Sequence, residues 1–134
     1  RNILFFGNGV IKNSRFSFVG NDAVDLSGSK VYLENLFFLN IGDKLISAGE
    51  NTNVKIENIE AENSYIGIAS KDGSKGVAKN INFKNVKIPF ASYQKKKSFD
   101  HGVLKINKEK NIIESKYKKK LKIQYTRDGV NLFN

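Results

Sequence analysis

Three carboxylates fall within two short glycine-bounded segments of a 134-residue chain: Asp22 and Asp25 in GNDAVDLSGS, residues 20–29, and Asp43 in IGDKLIS, residues 41–47. When two carboxylates lie close together, repulsion separates their pKa values, and such a pair can serve as acid and base on a glycosidic bond. Asp22, Asp25 and Asp43 are therefore the candidate catalytic set. The same glycines and polar residues are also what a turn between strands requires, and that reading stands beside the chemical one.

A second kind of chemistry is electrostatic. Lys95, Lys96 and Lys97 precede SFDHG, and Lys116, Lys118, Lys119, Lys120 and Lys122 crowd a later cluster with Tyr117 and Tyr125 among them. Such density makes a positive field that attracts acidic polysaccharide, nucleic acid or anionic lipid. The candidate polyanion contacts are Lys95, Lys96, Lys97, Lys118, Lys119 and Lys120. No helix-turn-helix, zinc-finger or RNA-binding signature accompanies them, so specific nucleic-acid recognition is not expected. A solvated, solubilising edge is the other reading.

Whether the carboxylates meet depends on the elements that carry them, and these repeat. VKIENIEAENSYIGIAS, residues 54–70, has relatives in VYLENLFFLNIGDKLIS and GVAKNINFKNVKIPFAS. Four copies align over residues 9–29, 30–52, 53–75 and 76–98, with Asn13, Asn35, Asn58 and Asn80 at one common place. Asn40, Asn63 and Asn85 mark a second place, and Ser47, Ser70 and Ser92 a third. Between the marks, apolar residues alternate with period two: Val54, Ile56, Ile59, Ala61, Ile66 and Ile68 in the third copy, with Val31, Leu33, Leu36, Phe38 and Leu45 at the matching sites of the second. Period two means strands, three short ones per copy.

Short strands recurring every 22 or 23 residues predict an all-β solenoid of about four coils, in which each residue stacks on its counterpart about 4.8 Å away. An Asn at each corner suits a left-handed backbone turn and an amide ladder, and the apolar flanks predict that these ladders lie inside the coil. On this count Asp43 lies one coil above Asp22. Hexapeptide and calcium-binding nonapeptide solenoids would show other periods, and a sandwich gives no reason for a constant interval.

The interval and the Asn ladder together resemble the right-handed parallel β-helices of the pectin-lyase-like superfamily, over residues 1 to about 98. That resemblance implies a fold more than a function. In the polygalacturonase branch a Gly-Asp-Asp cluster supplies the general acid and the water-activating carboxylates, which here would be Asp22, Asp25 and Asp43, with Asn21 standing in place of one Asp. The single His, His101, lies beyond the coils, and the basic partner of that branch is missing. Resemblance to the pectate lyases would cast Asp22, Asp25, Asp43 and Lys44 as calcium ligands and base; calcium is a cofactor only under that alternative, and otherwise none is implied.

Composition sets the bounds. The chain has no Cys, and the absence of Met with a start at Arg1 leads us to expect a processed or excised piece, the C-terminal part of a longer solenoid. No run approaches a membrane span. Residues 1–94 carry 11 Lys and Arg against 9 Asp and Glu, a net of +2, whereas residues 95–134 carry 12 against 4, a net of +8. Residues 99–134 are expected to be a basic cap or tail, with lysines outward against edge pairing. Open ends of a short solenoid also predict end-to-end self-association. Two functions remain: a non-catalytic module of a secreted or cell-surface protein that binds a polymer, such as an acidic carbohydrate, or a polysaccharide hydrolase, lyase or epimerase fragment.

Overall fold

The computed structural model describes residues 3–107, 110–114 and 130–133. Its strands are β1 (Ile3–Ser17), β2 (Val24–Leu39), β3 (Lys44–Gly49), β4 (Asn53–Lys71), β5 (Lys75–Tyr93), β6 (Val103–Asn107), β7 (Ile112–Glu114) and β8 (Val130–Phe133). Every pairing among them is parallel. Ile56 lies over Leu33 and under Ala78, so side chains 22 or 23 positions apart do stack. The chain is a parallel β-solenoid of about four turns, as the repeat predicts.

The long strands bend without breaking because a left-handed residue sits at each corner. Asn13, Asn35, Asn58 and Asn80 have φ between 53° and 57°, and Asn40, Asn63 and Asn85 between 49° and 58°. Asn tolerates this region better than other side-chain-bearing residues, which explains why it recurs there. Its amide also links coils: Asn35 Nδ2 donates to Asn13 Oδ1 at 3.0 Å, Asn58 Nδ2 to Asn35 Oδ1 at 3.1 Å, and Asn85 Nδ2 to Asn63 Oδ1 at 3.2 Å. One expectation is corrected: the first ladder is not internal, since Asn13, Asn35 and Asn58 are exposed. The left-handed turn swings their side chains outward while the flanking apolar residues turn in.

Inside the coil, stacked files of Val, Leu, Ile and Phe exclude water. Leu33, Phe38, Ile56, Ile59, Ile81 and Phe83 are fully buried, Phe16 stacks on Phe38 at 5.1 Å, and Phe83 meets Phe90 at 5.7 Å. Gly67 makes room for this last pair, because a Cβ there would reach 2.6 Å from the Phe83 ring and 2.1 Å from the Pro89 carbonyl.

The register also corrects the sequence alignment on one side of the coil. Leu36 pairs with Ile59 at an interval of 23, but Ile46 pairs with Ile68 at 22, so one residue is lost between the corner and β3. Ile46, not Leu45, therefore stacks on Ile68. Ser47 pairs with Asp25 and Ala69, while Ser70 pairs with Ala48 and Ser92, so the three serines do not form one file. Past residue 98 the strands β6 and β7 add to the same parallel stack. At the other end, β1 pairs only with β2 and leaves Leu4, Phe6, Val10 and Phe18 exposed. Among the described residues no helix is long and apolar enough to cross a membrane.

Candidate ligand-binding site

The face that carries the three carboxylates is built from the start of β2, β3, the end of β4 and the end of β5. Its inward residues Val24, Ile46, Ile68 and Phe90 form one file of the core. The next residue on each strand must point the other way, giving an outward file of Asp25, Ser47, Ala69 and Ala91. Ala69 and Ala91 are only 0% and 3% exposed, yet they belong to no part of the core cluster. They are covered instead by outward side chains that rise on either side of them, and the small residues become the floor of a cleft of about 460 Å³.

Lys44, Ile66 and Ile88 line one side of that cleft in register, and Tyr65, Tyr93 and Gln94 complete it. The ammonium of Lys87 lies over the Tyr65 ring, 5.5 Å from its centre. Gln94 is held by neighbours on both sides: its Nε2 donates to the Phe99 carbonyl at 2.7 Å, and its Oε1 is 3.1 Å from His101 Nε2. His101, which the sequence puts beyond the coils, thus reaches the cleft through Gln94.

Two of the three carboxylates, Asp22 and Asp43, flank Lys44 at the cleft's edge. Lys44, not Asp43, takes the position over Asp22, and its backbone N–H donates to Asp22 Oδ1 at 3.1 Å. The Lys44 ammonium lies 3.5 Å from the same oxygen and 3.2 Å from Asp43 Oδ1, so one cation stands between the two anions. Burial by itself presses the Lys44 ammonium down, but the charges of Asp22, Tyr93 and Asp43 outweigh it and raise its pKa. Lys71 goes the opposite way. Burial lowers its pKa, and the nearby charges of Lys44 and Lys95 lower it further against the pull of Asp22 and Asp25. Burial likewise raises the Tyr93 phenol, with Asp22 and Asp43 adding to the effect and Lys44 opposing it.

Structure thus brings Asp22, Asp43 and Lys44 together and puts Asp25 on the same face, yet none of the three carboxylates lines the cleft. Among the described residues no group of three or more His, Cys, Asp or Glu converges as metal ligands. Lys95 and Lys96 lie in the loop after β5, where both backbone N–H groups donate to Asp72 Oδ1 at 2.7 Å. Lys96 Nζ pairs with Glu50 at 3.2 Å, and Lys97 is exposed. Lys118, Lys119 and Lys120 lie outside the described residues.

Sequence reasoning missed Tyr65, Lys71, Tyr93 and Gln94. Small residues at outward strand positions, Ala69 and Ala91, were the available signal. Comparison with family models, with curated proteins and with solved structures finds no match. The arrangement must therefore be read from its own chemistry. An aliphatic floor between two tyrosines accepts the apolar face of a flat ring, and Lys44, Gln94 and the tyrosine hydroxyls supply the few polar contacts that orient it.

Proposed function

We propose that this chain is a non-catalytic β-solenoid module that binds an acidic carbohydrate, with a sugar ring seated on Ala69 and Ala91 and its carboxylate directed to Lys44. The observation that carries this reading is the pair of buried alanines that lie outside the core: they make a recess on a sheet that would otherwise be flat. Because coils are stacked about 4.8 Å apart, the paired Ala69 and Ala91 make a recess that spans two neighbouring coils. The circumference of the coil and its Asn corners support kinship with the pectin-lyase-like solenoids.

Binding is favoured over cleavage by the position of Lys44. Glycosidases hold two carboxyl groups on opposite sides of the scissile bond, whereas here a cation stands between Asp22 and Asp43 and both lie off the cleft. Incubation with polygalacturonate, alginate and a neutral glucan tests the reading when binding and product release are followed together. Retention of the acidic polymers with neither new reducing ends nor unsaturated sugars is the expected result. Product release would overturn it in favour of a hydrolase or lyase.

A further inference from the structure

We propose that a different face of the solenoid, formed by the middle of β1 and of β2 and the first residues of β4, β5 and β6, is a second binding surface on which a linear acidic polysaccharide lies along the solenoid axis. The face is defined by register. Asn8, Lys30, Asn53, Lys75 and Val103 form one outward file, and Val10, Tyr32, Lys55, Val77 and Lys105 form the file beside it. Lysine therefore occurs once on each of four successive coils and alternates between the files: Lys30, Lys55, Lys75, Lys105. All four are exposed.

The spacing follows from sheet geometry. Consecutive lysines advance about 4.8 Å along the axis and step sideways by two residues, about 6.7 Å, so their Cα atoms lie about 8 Å apart in a zigzag. A pyranose unit and its glycosidic bond are about as long as one coil is thick, about 4.8 Å, so an extended uronate chain meets one ammonium per sugar.

Nothing nearby cancels this field. Glu34 and Glu57, which border the lysine files, are already engaged: Lys12 lies 3.6 Å from Glu34, Lys79 lies 3.5 Å from Glu57, and the Tyr32 hydroxyl donates to Glu57 at 2.9 Å. No ion pair is formed by Lys30, Lys55, Lys75 or Lys105 among the described residues. Between the cations the surface is a groove of about 690 Å³, with Val10 and Val77 56% and 40% exposed at its floor. Aliphatic patches between charges suit the C–H faces of sugars. A single-stranded nucleic acid would instead call for a series of stacking rings, and the two files contain Tyr32 alone, tied by its hydroxyl. The surface shares only a ligand class with the cleft and stands if the cleft reading fails.

Two measurements test it. Carbodiimide coupling of an oligogalacturonate eight sugars long to the unaltered protein, followed by peptide mapping, should join its carboxylates to Lys30, Lys55, Lys75 and Lys105; adducts that avoid these lysines would overturn the proposal. In calorimetric titration, the combined variant Lys30→Gln, Lys55→Gln, Lys75→Gln, Lys105→Gln should bind the octamer at least about tenfold more weakly, and the matching Arg variant should bind within about threefold of the parent. Unchanged affinity of the Gln variant would overturn the proposal, as would tighter binding of a single-stranded oligonucleotide of equal charge than of the octamer.

Discussion

Lys44 addresses one oxygen of Asp22 twice, through its backbone N–H at 3.1 Å and its ammonium at 3.5 Å, and so ties two coils together at the mouth of the cleft. Both side chains are largely covered, at 14% and 15% exposure, so the pair belongs between a surface ion pair and a buried one. The Asp22→Asn variant should lose about 1–2 kcal/mol of stability at pH 7. The pH dependence has a definite sign. Because the Lys44 pKa is raised on folding, its contribution is full below its ordinary value of 10.5 and is lost as pH rises through the folded value. Urea unfolding at pH 7 and above pH 10.5 should show the gap between parent and variant narrowing.

Lys71 makes the opposite prediction. Its folded pKa is lowered, so its ammonium opposes folding at neutral pH and the penalty fades as pH rises from the folded value toward 10.5. Lys71→Met keeps the stem that covers Gly49 and removes the charge. Its midpoint in urea at pH 7 should equal or exceed that of the parent, whereas affinity for an acidic ligand should fall. A clear loss of stability would show that Lys71 is held by a compensating partner.

The corner at Asn58 separates backbone from side-chain effects. With φ at 57°, Ala is expected to cost about 1–2 kcal/mol, and Gly less because it has no Cβ to strain. Loss of the 3.1 Å amide bond to Asn35 is common to both variants. Chemical denaturation of Asn58→Ala and Asn58→Gly should therefore rank parent, Gly, Ala in descending stability.

Gly67 leaves no room for a single methyl group. A Cβ would approach the Pro89 carbonyl and the Phe83 ring at distances no side chain adopts, and both neighbours are fixed by coil packing. Gly67→Ala should destabilise by about 3 kcal/mol or more, near the upper end of overpacking effects. Denaturation midpoints of Gly67→Ala and Gly20→Ala give the contrast, since a Cβ at Gly20 meets nothing within 4 Å.

The solenoid was legible because stacking forces equivalence: Leu33, Ile56 and Ala78 occupy one environment on successive coils, so sequence and space share a period. Asn35 and Asn58 were legible for a similar reason, since few residues accept their backbone conformation. The faces of β3 were hidden by one residue. Because the interval drops from 23 to 22 between Leu36 and Ile46, counting by the longer interval aligns Leu45 with Ile68 and merges Ser47 with Ser70, which inverts the faces of β3. Asp43 was expected one coil above Asp22, but Lys44 takes that position, and no pattern in the spacing announces that its ammonium stands between the two carboxylates. The lysine zigzag was likewise invisible to a search for charge runs, because Lys30, Lys55, Lys75 and Lys105 are brought together only by the register.

The central claim is that a carbohydrate ring rests on Ala69 and Ala91. Calorimetric titration of the parent and of Ala91→Phe with a digalacturonate, too short to span the lysine zigzag, tests it most directly. The outward phenyl group occupies the cleft and not the core, so the account predicts affinity lowered at least about tenfold in a variant whose circular dichroism still reports the β-solenoid. Equal binding of the two proteins, or none by the parent, would contradict it.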